Sequence, residues 1–339
     1  MTTALQPSTP RQCSRGRAVS SAPFEPGRFA LRDTWFPIEH LPRVKRTPRL
    51  RHIHGQPYWL WRDGGQPRAS EVAPEQLGQR TTTASEFSGG SGQYPAEQRY
   101  GYLWVWFGDP SNAAPELIPD IPHLPHDGKP AHIMRGTLRF GCTYELACEN
   151  LLDISHVDCV QTTFPGRSRF HDDQITVEST SETITTISDT QRWRVPPALR
   201  WQVGSDTQDV RWIVHLHLRN GVAVMHADFG PETSVHLLQN FVPESATVTR
   251  LLYTVNPPRT PSLTRNLLPV LRRGIMARDN AILRAQNPRY LQPAGRTDAN
   301  SQFDAAVIAY RIGMQKLIQR QRVGDFSYQS DGRGHQRAT

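Results

Sequence analysis

Between residues 174 and 256 the chain offers one β-strand after another. The segments QITVEST, ETITTIS, LRWQV, VRWIVHLHL, GVAVMHADF, SVHLLQNFV and TVTRLLYTV follow at short intervals. They are rich in β-branched and aromatic residues, and apolar and polar positions alternate in most of them. An antiparallel sheet joined by tight turns is the fold this pattern predicts. In VRWIVHLHL, Trp212, Val214, Leu216 and Leu218 form the core face. Arg211, Ile213, His215, His217 and Arg219 share the other side, which makes the His-x-His pair pocket-lining or solvated rather than core.

Two helical segments close the chain. The first spans about 264–286, with Pro269 as a kink or early break, and the second spans about 301–321, with Asn300 or Ser301 as N-cap. Upstream, FALRDTWFPIEHL, LRHIHG and YWLWRDGGQP read as short strands, with Asp63-Gly64-Gly65 as a hairpin turn. Tyr100 to Gly108, YGYLWVWFG, is the clearest strand in the first third. Residues 71–94 lose hydrophobic periodicity, and so long a polar loop in a compact domain is functional or a scar of lost structure. A Pro-rich connector over 110–130 marks a domain boundary. Beyond it, HIMRGTLRF is a strand and Tyr144 to about Val160 is helical.

The predicted class is α+β. A tail over 1–28 precedes a small all-β domain over 29–120. A larger domain over 131–322 follows, with a curved antiparallel sheet backed by C-terminal helices, and 323–339 is a second disordered tail.

Composition narrows the function. Lys+Arg exceed Asp+Glu by 39 − 31 = 8, but the arginines are spread along the chain, which argues against nucleic-acid binding. No run reaches the ~18 apolar residues of a membrane span. Cys13, Cys142, Cys148 and Cys159 show no Cys-x-x-Cys or Cys-x-His spacing, so no zinc or iron–sulfur site is written locally. A reducing, cytoplasmic compartment is expected. The Ser/Thr/Pro/Arg-rich residues 1–24 share a transit-peptide composition, and a plain tail is the simpler reading.

Residues 149–161 carry the chemistry. Asp153 and His156, three apart on a helix, share a face, and a carboxylate beside an imidazole fixes its tautomer and orientation. The same pair also occurs as an ordinary cap or surface pair. A mononuclear iron(II) oxygenase needs two imidazoles and one carboxylate on one face of the metal. Asp279 is a candidate carboxylate, because its helical face also carries Ile275, Ile282 and Leu283, and a carboxylate there needs a partner. His171 lies in a loop, and His52, His54, His123 and His126 are read as structural.

These segments together resemble the α-subunit of Rieske-type non-haem iron oxygenases, in the branch of vanillate and dicamba demethylases and pheophorbide/chlorophyllide oxygenases. The similarity runs from about Phe29 to Gln321. It is carried by Trp35-Phe36-Pro37-Ile38, Tyr100–Asp109, Ile118–Pro122, the Glu149-Asn-Leu-Leu-Asp-Ile-Ser-His156 segment, Arg278–Gln286 and Phe303–Val307. The resemblance implies a helix-grip (START-like) large domain whose sheet holds an apolar substrate. It implies His156 and Asp279 as iron ligands, and Asp153, with Asn150 beside it, as the catalytic link that relays electrons from a neighbouring subunit's cluster.

Two departures from the family pattern stand out. The family's Cys-x-His and Cys-x-x-His pairs belong between Trp59–Asp63 and Tyr100, but residues 71–99 contain no Cys and no His. A small Rieske-like domain without cluster loops and without its own [2Fe–2S] centre is therefore expected. The family's second iron histidine aligns with Gln161, a weak neutral ligand, so Fe(II) would be held loosely by His156, Gln161 and Asp279. Three readings follow. The chain is an oxygenase subunit fed by a cluster-bearing subunit or a ferredoxin within a homo- or hetero-trimer. Otherwise it is a non-catalytic partner of an active paralogue, or a binding protein for an apolar, tetrapyrrole-like ligand.

Overall fold

The computed structural model describes residues 26–77, 88, 91–125, 134–153, 156, 174–195, 200, 204–228, 234–256, 277–292, 298 and 301–329. The first third forms two three-stranded antiparallel sheets. One has the order β1-β6-β5, from Thr34–His40, Tyr102–Phe107 and Ala96–Arg99. The other runs β2-β3-β4, from Arg49–Ile53, Gln56–Asp63 and Gln66–Ser70. The predicted turn after Asp63 is present: Gly64 and Gly65 have φ of 54° and 88°, the left-handed pair that a two-residue hairpin loop demands. Pro37 sits in β1 next to a register shift, where a missing backbone donor is tolerated.

The second part is the predicted antiparallel sheet, seven strands in the order β7-β13-β12-β11-β10-β9-β8. The strands are β7 (Met134–Phe140), β8 (Gln174–Ser179), β9 (Thr183–Arg194), β10 (Thr207–His217), β11 (Val222–Asp228), β12 (Ser234–Ser245) and β13 (Val248–Asn256). The expected LRWQV strand lies almost wholly outside the described residues, as does Pro269. Among the described residues three helices accompany the sheet: α1 (Tyr144–Leu152), α2 over 277–290 and α3 (Ala305–Arg322). Ser301 is the cap at the start of the last one, in a capping box with Asp304.

Period-2 patterning divides the sheet between two cores. Val214, Leu216, Leu218, Ala223, Phe241, Leu251 and Tyr253 pack with the helices. The alternate residues Val222, Leu238, Val242 and Leu252 pack with the small domain, beside the fully buried Trp35, Trp104 and Trp106. The two domains therefore share a core across the back of the sheet. That seam is also stitched by polar contacts. Asn220 Nδ2 donates to the Trp35 carbonyl at 3.0 Å, and Arg250 Nη2 to the Ile38 carbonyl at 2.6 Å.

The domain ends differ from expectation. Residues 26–28 are attached: the Gly27 N–H donates to Glu145 Oε1 at 3.0 Å. Residues 323–329 are not a loose tail either. Arg219, ion-paired to Glu182, donates to the carbonyls of Phe326 (2.9 Å) and Ser327 (2.6 Å), and its guanidinium lies 4.0 Å from the Tyr328 ring centroid. Tyr328 in turn reaches the Asp33 carbonyl at 3.0 Å. A buried arginine with one carboxylate has donors to spare, and backbone carbonyls of the chain end take them. The rest of both predicted tails, 1–25 and 330–339, lies outside the described residues.

Candidate functional site

Helix α1 starts where Thr143 caps it, its side chain accepting from the Leu146 N–H. It ends earlier than the apolar spacing predicts. Asp153 is the C-cap, with φ −81° and ψ 88°, so the helix stops at Leu152. The consequence for Asp153 and His156 is a correction. The two do not share a continuing helical face. His156 Nδ1 meets the backbone carbonyl of Asp153, not its carboxylate. A carbonyl can only accept, so Nδ1 carries the proton and Nε2 keeps the lone pair that a metal would use.

Asp279 is 3% exposed, near the start of α2. The buried residues of that helix are Asp279, Leu283, Asn287 and Tyr290, one stripe at spacings of four, four and three. Of the expected apolar stripe, Leu283 is buried and Ile282 half-buried, while Ile275 lies outside the described residues; the buried stripe itself is half polar. Asn280 and Asn287 pin the helix to the start of α1: their Oδ1 atoms accept from the N–H groups of Gly141 and Thr143, both at 2.9 Å.

Glu149 completes the arrangement. It lies one turn before Asp153, whose N–H it binds through its backbone carbonyl at 2.9 Å. Its carboxylate is 5% exposed and fully engaged. Arg311 of α3 donates Nε to Oε1 at 2.7 Å and Nη2 to Oε2 at 2.6 Å, and Tyr290 of α2 donates to Oε1 at 2.7 Å. One carboxylate therefore ties together the helix leading to His156, the helix bearing Asp279 and the final helix. Burial would lower the Arg311 pKa, but the Glu149 contacts outweigh it and the net shift is upward. Burial pushes the phenol of Tyr290 and the thiol of Cys148 well up, and it raises Glu145 despite the Gly27 N–H that opposes it. Tyr290, Cys148 and Glu145 are thus biased toward their neutral forms.

Nothing local in the sequence marks Glu149, Tyr290 and Arg311 as a set. The one signal is an acidic residue on the buried side of a short helix, which has to find a partner. Asn150 follows Glu149 and is half-buried. Gln161 and His171 lie outside the described residues. His215 Nδ1 is hydrogen-bonded to Thr185 Oγ1 at 2.8 Å and its ring is 4.9 Å from that of His217, a strand-face pair. Among the described residues no three His, Cys, Asp or Glu side chains are grouped as a metal would require.

The small domain holds His40, His52 and His54, and the sequence has no cysteine between Cys13 and Cys142. His40 Nε2 is turned to the Gly136 carbonyl at 2.9 Å, and His54 lies among aromatic rings. This donor set offers no thiolate pair for an iron–sulfur cluster. His156 and the buried Asp279 are of donor types that iron(II) accepts, an imidazole and a carboxylate. A surface groove of about 570 Å³ lies elsewhere, lined only by small-domain residues such as Arg68, Glu97 and Arg99. Among the described residues no helix is long and apolar enough to cross a membrane.

Residues 140–320 match the family model described as the vanillate O-demethylase oxygenase C-terminal domain. A vanillate O-demethylase oxygenase subunit of Pseudomonas sp. is 30% identical over 148 residues, 40% of this chain and 44% of that protein. The oxygenase component of a chloroacetanilide N-alkylformylase from Rhizorhabdus wittichii is 27% identical over 158 residues, 38% of this chain and 45% of its own. The chain thus spans less than half the length of these relatives. In fold it is similar to dicamba monooxygenase bound to 3,6-dichlorosalicylic acid: TM-score 0.71, 17% identity, 86% of this chain and 98% of that one. It is also similar to NdmA of Pseudomonas putida CBB5 with caffeine: TM-score 0.64, 13% identity, 89% and 97%. With the family model covering just over half of the chain, and the small β domain and seven-stranded sheet in the arrangement of those structures, the chain belongs to the Rieske-type non-haem iron oxygenase α-subunits, on the vanillate demethylase and dicamba monooxygenase side of that family.

Proposed function

We propose that this chain is the oxygen-inserting subunit of a mono-oxygenase for an apolar, aromatic substrate, and that its electrons come from an iron–sulfur cluster on another polypeptide. The observation that carries this reading is the Glu149 carboxylate, which draws the His156 segment and the Asp279 helix onto one set of contacts. A protein that had lost its metal chemistry would have no need to keep a buried ion pair there, since apolar packing serves stability as well. Iron(II) would be held by His156 through Nε2, by the Asp279 carboxylate and by the Gln161 amide oxygen. When bound, it would supply the activation of dioxygen.

The chain's own residues do the rest. Asp153 and Asn150 lie in sequence between the Glu149 anchor and His156, and in a homo- or hetero-trimer they would link His156 to the donor subunit's cluster. In a helix-grip arrangement the concave face of the seven-stranded sheet would hold and orient the apolar substrate. The absence of cysteine between residues 14 and 141 supports an external electron source, either a cluster-bearing oxygenase subunit or a ferredoxin. Gln161 favours a second reading, a non-catalytic subunit that stabilises an active paralogue.

Anaerobic iron(II) titration of the full chain separates the two. The oxygenase reading expects about one iron per chain with weak affinity. Gln161→His should bind at least ~10-fold tighter, and Asp279→Asn should abolish binding. If no iron binds to the wild type and Gln161→His gains nothing, the oxygenase reading fails and the companion-subunit reading stands.

A further inference from the structure

We propose that the contact between the small domain and the seven-stranded sheet is an acid-opened seam, closed only while the imidazoles of His40, His54 and His123 are uncharged. The proposal does not depend on the iron site. It rests on where these three side chains sit. Each belongs to the small domain or the connector leaving it, and each meets the large domain at a different point.

His40, 1% exposed at the end of β1, reaches across to β7 and bonds the Gly136 carbonyl through Nε2 at 2.9 Å. β7 is the outer strand of its sheet, so this contact satisfies an edge carbonyl that would otherwise face the interface. The charged groups acting on His40 are Glu39, Arg43 and Arg135. Glu39 is already held by Arg51, and Arg250 lies 3.6 Å from it, so it has little to give an imidazolium.

His54 forms the β2–β3 turn with Gly55 and keeps part of its surface open. Its N–H donates to the Pro243 carbonyl of β12 at 2.6 Å, and Gly55 N donates to the Glu244 carbonyl at 3.0 Å. Its ring lies between Phe36 and Phe107 of the small domain and Tyr144 of α1, with centroids at 6.3, 5.5 and 5.9 Å. That surround is apolar, and no charged group offsets it.

His123, in the connector, stacks on His236 at 5.1 Å and 18°. His236 stands directly across from His226 on the paired strand, their rings 4.4 Å apart. Three imidazoles thus share one spot. The carboxylate there, Asp228, is bonded to His226 Nε2 at 2.7 Å and faces Arg211, which is itself paired with Asp189. Ser234 is a further polar neighbour, 3.5 Å from His236. A second proton on an adjacent ring puts like charges side by side, so the cluster resists charging.

The chemistry agrees with the placement. Burial pushes His40, His54 and His123 down to about 4 from an ordinary 6.5, with the neighbouring imidazoles adding to the effect at His123. A folded-state value below the unfolded one means that the open form takes up more protons. The seam is therefore fully closed above about pH 6.5 and loosens progressively as pH falls toward 4. Within each domain the strand pairing has no such dependence on these rings, so the domains should part before they unfold.

The test follows the full chain from pH 8 to 4 by small-angle scattering, by proteolysis of the connector over 109–125, and by far-ultraviolet circular dichroism. The expected result is expansion and connector cleavage with a midpoint between about pH 6.5 and 4, a slope above one proton, and circular dichroism unchanged. A variant carrying His40→Gln, His54→Asn and His123→Phe keeps an amide donor, a residue that tolerates positive φ, and a stacking ring. It should open at least about one pH unit lower. Opening at the wild-type pH in that variant, loss of circular dichroism at the same midpoint, or no opening above pH 4 would each overturn the seam. Should the triple variant not fold, histidine proton resonances of the wild type decide. All three must stay silent until expansion begins, and one titrating near 6.5 in the compact protein defeats the proposal.

Discussion

The two faces of the seven-stranded sheet are held by different chemistry. On the helix side, a bidentate carboxylate–guanidinium pair, Glu149–Arg311, is reinforced by the Tyr290 phenol. On the small-domain side the buried Glu39–Arg250 pair is joined by three neutral imidazoles, at His40, His54 and His123. An arginine–carboxylate pair keeps its charges across the physiological range, whereas a buried imidazole must stay uncharged against a rising proton concentration. The helix face is therefore built to hold one geometry, and the other face to depend on conditions. On the proposed function, the candidate iron ligands His156 and Asp279 belong to the helix side, the side that holds its geometry.

Substitutions on each face can break or sharpen this contrast. The largest effect is expected from Glu149→Ala, which strands the Arg311 guanidinium and the Tyr290 hydroxyl. Chemical denaturation should register a loss of about 3–5 kcal/mol, equal at pH 7.5 and 5.5. An effect confined to one pH would erase the distinction between the faces. Gly136→Ala comes next. A Cβ there would lie 2.3 Å from the Tyr253 ring, so overpacking of about 1–3 kcal/mol is expected, and thermal unfolding measures it. The same change should raise the pH at which the seam loosens, because it disturbs the strand whose carbonyl His40 binds.

Asn287→Ala removes the acceptor for the buried Thr143 N–H and should cost about 1–2 kcal/mol by denaturant midpoint. Its effect on iron affinity should exceed that of any seam variant, because it acts on the start of α1. Arg211→Ala marks the floor. Its pair with Asp189 is largely exposed, at 57% and 46%, and under about 0.5 kcal/mol should be lost, a difference that salt removes.

Much of the architecture is legible from residue patterns. Strand alternation marks which residues of β10 face the helices, because side chains alternate whatever the tertiary setting. The Gly64-Gly65 turn and the Ser301 cap are equally local. The iron-site candidates are legible in part. Asp279 is buried, on a stripe that it shares with Leu283, Asn287 and Tyr290. The relation of Asp153 to His156 is not legible, since apolar spacing runs on past Leu152 while the backbone stops there.

Sequence alone determined the strand pattern and the lack of cysteine between residues 14 and 141. Tertiary structure alone decided which groups meet. Glu149 finds partners 141 and 162 residues away, Gln321 binds Arg32 across 289, and His40 binds Gly136 across 96. Local periodicity reflects the backbone's repeat and the side of an element that is buried. It carries no information about which distant polar group will satisfy a buried one, because that choice is made by how the layers come together.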